Sequence, residues 1–208
     1  MMTRVNGALR VDLKMIADLV EPGSRVLDVG CGDGSLLDWL GENKNVDGRG
    51  IELSMSGVSA AVAQGLSVIQ GDADTDLAYY PDGAFDYVIL SQTLQATREP
   101  KRVIENMLRI GRHAIVSFPN FGHWHVRWDL SVKGRMPITD NLSYEWYETP
   151  NIHFCTIRDF HLLCNEMGLT VERRFLLDRD GKPLPPLAAK TLGNLLATQA
   201  LFQLTRRG

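Results

Sequence analysis

The chain has 208 residues, of which 44% are hydrophobic, 23% charged and 8% aromatic, and its formal net charge is −3. That length leads us to expect a single domain over residues 1–208, with a core large enough to need no disulfide or metal staple. The negative balance excludes a global basic field that would draw it onto nucleic acid.

Three cysteines, Cys31, Cys155 and Cys164, are odd in number and form no C-x-x-C pair. This speaks against a disulfide framework or a zinc ribbon, and reduced thiols suit a cytoplasmic address. The opening stretch MMTRVNGALRVDLKMIADLV is interrupted by Asp12, Lys14 and Asp18, unlike the apolar core of a signal peptide. No run approaches the roughly 20 apolar residues of a membrane span. The expectation is a soluble protein with no membrane and no nucleic-acid partner.

Leu9, Leu13, Ile16, Ala17, Leu19 and Val20 recur at helical spacing, and Glu21-Pro-Gly-Ser24 stops that helix. Arg25–Val29 is a short apolar run fit for a buried parallel strand. A glycine-rich turn leads into a helix through Leu36, Leu37 and Leu40. Strands are predicted at Gly48–Glu52, Leu66–Gln70, Phe85–Leu90 and His113–Phe118, with helices at Ser56–Gln64 and Glu99–Ile110. Pro119–Pro150 breaks the rhythm and, being rich in Trp, Tyr, His, Gly and Pro, reads as an aromatic-rich insertion at about 119–150. Thr156 caps a predicted helix to Met167, ended by Gly168, and Leu169–Leu177 is a further strand. Thr198–Thr205 reads as a last strand, although Leu192–Leu204 would also suit a helix. Strands alternating with helices give an α/β, Rossmann-like fold. Its mostly parallel sheet is covered by helices on both faces, with ligands beyond the strands' carboxyl ends.

Val26-Leu-Asp-Val-Gly-Cys-Gly-Asp-Gly34 ends the first strand and opens the first helix after it. Glycines there allow positive φ and close approach of a ligand, and the helix N-terminus offers unpaired amides. The spacing G-x-G-x-G differs from the dinucleotide fingerprint G-x-G-x-x-G, and the loop carries Asp28 and Asp33. Like charges about 4 Å apart repel by roughly 4 kcal/mol at an effective dielectric of about 20, so an acidic loop is a poor cradle for pyrophosphate. It suits S-adenosylmethionine (SAM), or S-adenosylhomocysteine, which have no phosphate and carry an ammonium. Glu52, ending the second strand, is placed to accept both ribose hydroxyls. Asp72, in Gly71-Asp72-Ala73, could accept a hydrogen bond from the adenine amino group. A solvated carboxylate at a strand end is the plain alternative for each acid taken singly.

Residues 25–118 resemble the class I SAM-dependent methyltransferases in D-V-G-C-G-D-G, the Glu52 strand end, G-D-A and F-D-Y-V-I-L-S-Q-T-L. The resemblance implies a seven-stranded sheet with an antiparallel last strand. It also implies that Asp28, Gly30, Gly32 and Gly34 hold the methionine moiety, Glu52 the ribose and Asp72 the adenine. Ser91 would line the pocket, with Cys31, Leu53 and Ala73 beside these residues. Where close relatives often place His this chain has Gln95, and glutamine is no general base at neutral pH.

Nearly the whole chain resembles the bacterial MetW family of methionine-biosynthesis proteins. The likeness rests on R-V-D-L, V-L-D-V-G-C-G-D-G, L-S-Q-T-L-Q, F-P-N-F-G-H-W and T-P-N-I-H-F-C-T-I-R-D-F, in that order. It implies a role in methionine synthesis beside homoserine O-acyltransferase, whose activity the family supports, and it supplies no methyl acceptor. SAM lies downstream of methionine, so a SAM-binding subunit could serve as an end-product sensor. A working small-molecule methyltransferase is the alternative; a nicotinamide oxidoreductase is disfavoured by the acidic loop.

His123-Trp-His125 with Asp129 could suggest a metal, since H-x-H in a strand or loop puts both imidazoles on one side. No further ligand has recognisable spacing, so no metal is expected. His123, His125 and His153 are also possible bases, or simply packing and loop groups. Trp124, Trp128, Tyr144, Trp146 and Tyr147 suit a lid or, by preference, a protein interface. No G-x-S-x-G is present, so the chain is not an acyltransferase of the α/β-hydrolase kind. Cys31 sits near a helix N-terminus, which can lower a thiol's pKa, but a small loop residue is the plainer reading.

Overall fold

The computed structural model describes residues 4–5, 8–140 and 142–207. A two-residue antiparallel pair, Arg4–Val5 with Ala8–Leu9, precedes α1 (Val11–Leu19). The elements then run β1 (Arg25–Val29), α2 (Ser35–Lys44), β2 (Asp47–Glu52), α3 (Met55–Ala63), β3 (Val68–Gln70), β4 (Phe85–Ser91), α4 (Pro100–Ile110) and β5 (Gly111–Pro119). They continue with α5 (Trp124–Trp128), α6 (Ile157–Glu166), β6 (Leu169–Leu177), α7 (Pro186–Thr191), α8 (Gly193–Leu196) and β7 (Gln199–Arg206). The seven-stranded sheet has the order β3-β2-β1-β4-β5-β7-β6. Only β7 runs against its neighbours, so the expected antiparallel last strand is present.

Alternate residues of each central strand enter opposite cores, as the pleat requires. Leu27, Val29, Val88, Leu90, Val116 and Phe202 face one cluster, closed by α4 and α6 through Val103, Ile104, Met107 and Phe160. Val26, Tyr87, Ile89, Ile115 and Leu201 face the other, closed by α1, α2 and α3 through Ile16, Leu36, Leu40 and Ala61. Burial on both faces is why these strands read as continuous apolar runs. The rings of Phe118, Phe160 and Phe202 pin α6 to β5 and β7, with centroids 4.6 to 5.9 Å apart.

Several boundaries differ from the sequence expectation. The first helix starts at Val11, because Arg10 is extended and folds back on Asp12 through two bonds of 2.6 and 2.7 Å. The third strand starts at Val68; the Leu66 amide instead donates to Ala61 O and belongs to the end of α3. Near the C-terminus both readings hold in part: the chain is helical to Leu196 and extended from Gln199. Within the predicted insertion, α5 runs on through a wider π-type turn at Asp129–Lys133, and among the described residues no helix or strand follows before α6. Asn120 fastens the base of this segment, donating to Asn194 O and Ala197 O while accepting from Gly122 N. Among the described residues no helix is long and apolar enough to cross a membrane.

Candidate functional site

The sheet order reverses direction between β1 and β4, and the turns leaving these strands define the switch point where open α/β sheets hold ligands. After β1, Gly30, Gly32 and Gly34 all take positive φ, at 73°, 59° and 80°. At Gly30 a Cβ would lie 2.7 Å from the Thr93 hydroxyl in the turn after β4, so both sides of the switch point meet there. Asp33 serves the helix: its Oδ1 accepts from the amide and hydroxyl of Ser35 at 3.1 and 2.7 Å, satisfying the first turn of α2.

Glu52 closes the loop from the side. Its Oε2 accepts from Gly32 N and its Oε1 from Ser54 N, each at 2.9 Å. Each oxygen keeps a second lone pair for a ligand. Beyond it a cleft of about 200 Å³ is bounded by Gly30, Ile51, Glu52, Leu53, Asp72, Ala73, Asp74, Thr93, Ala96 and Thr97. Asp74 is committed to the start of α4, accepting from the amides of Arg98 and Glu99. Asp72 gives Oδ1 to the Asp74 amide, and its Oδ2 lies 4.0 Å from the exposed Arg98 guanidinium. The walls are therefore apolar and the polar groups acidic or hydroxylic, with no basic side chain on the lining.

Asp28 lies buried beneath the loop in β1. Burial, then the Glu52 charge, pushes its carboxyl up to about 7. Cys31 is buried too, and burial with the Asp28 and Glu52 charges raises its thiol well above the ordinary range. Any lowering by the helix N-terminus is overridden, so Cys31 is no reactive thiolate.

Of the expected cofactor residues, Gly30, Glu52, Leu53, Asp72 and Ala73 come together on the cleft. Ser91 instead pairs with Ser117, Oγ to Oγ at 3.2 Å. Asp74, Thr93, Ala96 and Thr97 escaped the sequence reading; the signal for the last three was T-L-Q-A-T just after a central strand, the other half of the switch point, and for Asp74 the second acid of Gly71-Asp-Ala-Asp74. Larger spaces of about 550 and 560 Å³ lie elsewhere. The first sits at the strands' amino ends around Arg25 and Ser67, the wrong edge for a ligand in this architecture. The second lies past β5, between His123, Trp124, His125 and Arg179.

His123 and His125 both border that space, and the segment that carries them is a helix start and not a strand. His123 caps α5, its Nδ1 accepting from His125 N at 3.3 Å. Burial and the neighbouring His125 hold the His123 imidazole below its usual pKa. Among the described residues no cluster of metal-ligating groups occurs. His153 approaches Arg98 O at 3.2 Å through Nε2. Gln95 is buried, donates to Gln92 O at 2.6 Å, and leaves its Oε1 without a partner.

The family model described as methionine biosynthesis protein MetW matches residues 10–204. The chain belongs to the MetW family. A bifunctional methionine biosynthesis protein MetXA/MetW of Rhodopirellula baltica is 35% identical over 188 residues, covering 86% of this MetW-family chain and 30% of that protein. The chain thus spans under a third of that relative's length. Its fold matches a SAM-dependent methyltransferase from Archaeoglobus fulgidus at a TM-score of 0.69, over 95% of this chain and 92% of the other, with 12% identity. A methyltransferase from Mesorhizobium loti matches at 0.68, over 93% and 96%, with 19% identity. At such identities the likeness is one of fold: this MetW-family member has the Rossmann-like methyltransferase architecture.

Proposed function

We propose that this chain is a SAM-binding subunit that supports homoserine O-acyltransferase in methionine synthesis by forming a complex with it. The observation that carries the reading is the chemistry of the cleft. Acids and hydroxyls on apolar walls fit a cationic adenosine ligand, while no histidine, lysine or cysteine lines the space to act as base or nucleophile. In this reading Glu52 receives the ribose hydroxyls on its spare lone pairs, and Asp72 stands at the adenine edge. Asp28 faces the methionyl ammonium, with Gly30, Cys31, Gly32 and Gly34 as the backbone cradle. Ser91 would act through Ser117 and the turn after β4, since its hydroxyl is spent there.

Family membership supports this partner, as does the relative that joins a MetXA and a MetW unit in one polypeptide, the MetXA unit being the acyltransferase in this reading. Joining two units raises their effective concentration, which natural fusions exploit where the separate chains meet. Sensing of SAM as end product has a physical route. The amides of Ile152 and His153 donate to Gln95 O at 2.8 and 3.0 Å, tying the segment after β5 to the turn that walls the cleft. The deciding experiment measures acyl transfer by the same organism's homoserine O-acyltransferase with and without this chain, then titrates SAM. A saturable increase near equimolar ratio is expected. No change, with no complex on a sizing column, overturns the reading.

The space of about 560 Å³ beside His123, whose pKa burial and His125 hold down, favours a second reading, methyl transfer to a small acceptor. Proximity alone can supply much of such a rate. Release of label from methyl-labelled SAM in cell extract, dependent on this chain, would move the assignment there.

A further inference from the structure

The segment between β5 and α6 carries an apolar face that its own fold leaves uncovered. Met136, Tyr144, Trp146 and Phe154 are 40%, 49%, 69% and 41% exposed, yet with Phe121 and Leu142 they surround one shallow hollow. That hollow holds about 20 Å³, far below the roughly 300 Å³ at which small-molecule pockets begin. The face is therefore a surface for a macromolecule and not a ligand cavity. It is also built in advance: Phe121 and Phe154 pack ring on ring at 4.6 Å, Thr139 and Leu142 exchange backbone bonds, and Trp146 meets Tyr147 edge-on. Contiguous exposed aromatics of this kind mark interaction sites. Residues 119–155 carry three basic and four acidic side chains (Arg127, Lys133, Arg135; Asp129, Asp140, Glu145, Glu148), so the charges nearly balance. An electrostatically neutral partner surface is called for.

We infer that this aromatic face is the docking surface for homoserine O-acyltransferase, received by an apolar patch on that enzyme. The inference rests on the partnership proposed above and names its surface. Two further observations support that occupant. The MetXA/MetW relative keeps both units in one chain, which holds its MetXA unit within reach of its MetW unit. The run Asn151–Phe154 borders the face, and its Ile152 and His153 amides bond to Gln95 O in the turn whose Ala96 and Thr97 wall the cleft, so a partner seated there lies one hydrogen-bonded step from the cleft.

The test is the affinity of the full chain for purified homoserine O-acyltransferase by titration calorimetry, comparing wild type with Trp146→Glu and, separately, Met136→Glu. Tyr79→Glu, at an exposed aromatic outside the segment, is the control. SAM binding by each variant reports that the fold is intact. Expected is a loss of affinity on the order of tenfold or more for the two face variants, with the control and SAM binding unchanged. Wild-type affinity in both folded face variants overturns the surface while leaving the partnership standing. No binding by wild type overturns the partnership itself. A dimer of this chain alone that Trp146→Glu dissolves would assign the face to a second copy and overturn the inference.

Discussion

Asp28 is one buried carboxyl through which stability depends on pH. Its folded pKa of about 7 stands above the 3.8 of an unperturbed aspartate, so between those values the folded chain holds more protons than the unfolded chain. Stability of the ligand-free protein therefore falls as pH rises from about 4 to about 7 and levels off above. Asp28→Asn is expected to stabilise the ligand-free protein at pH 8, by on the order of a few kcal/mol at most and so with a higher Tm, and to remove SAM binding. Thermal scans at pH 5 and pH 8 check both signs. For the wild type, SAM affinity should weaken below pH 7 by up to about tenfold per unit, with proton uptake by the free site as the cause; calorimetry in two buffers reads it. Gly30→Ala places a methyl 2.7 Å from the Thr93 hydroxyl at positive φ. It should lower stability by about 1–3 kcal/mol and abolish ligand binding even where the fold survives. Sequence alone marked Gly30, Glu52 and Asp72, because strand ends and glycines announce themselves. It overlooked Thr97 and Asp74, whose value comes only from the β4 turn lying beside the β1 turn in space.

At the scale of elements, local chemistry was decisive where caps were strong. Thr156 accepts from Asp159 N and Asp159 accepts from Thr156 N, a reciprocal box that starts α6 where Thr156 was expected to cap it. Thr156→Ala is expected to cost about 1 kcal/mol, seen as a Tm drop of about 2–4 °C. Pro100 at the head of α4, with Val103, Ile104, Met107 and Leu108 buried along one stripe, is equally plain in sequence. The segment after β5 was legible only as a break. Its helix is five residues long and is held by Asn120 reaching to Asn194 and Ala197. Tertiary contact, not periodicity, decides its form. After α8 (Gly193–Leu196) the Thr198 amide bonds to Leu177 O, and the chain enters the sheet at Gln199.

For the whole molecule, the sheet's parallel half was readable from runs buried on both faces, while strand order was not, since order depends on long-range pairing. β6 shows the difference: its Glu172, Arg173 and Arg174 are exposed and an irregularity interrupts its register, as suits an edge strand. Phe202, packed against Phe118 and Phe160, joins that edge to the centre. Phe202→Ala should cost about 3–5 kcal/mol, measured by urea denaturation. The position of β7 has a further bearing, on how the protein is made. Translation delivers β6 some twenty residues before β7 (Leu177 to Gln199), yet β6 pairs with β7 and with no other strand of the sheet. Until residues 199–206 leave the ribosome, the rim of β5 stays open, β6 has no partner, and Phe118 and Phe160 lack their third ring. The nascent chain thus carries a sticky, half-built sheet, and chaperone demand should end when that strand slots in.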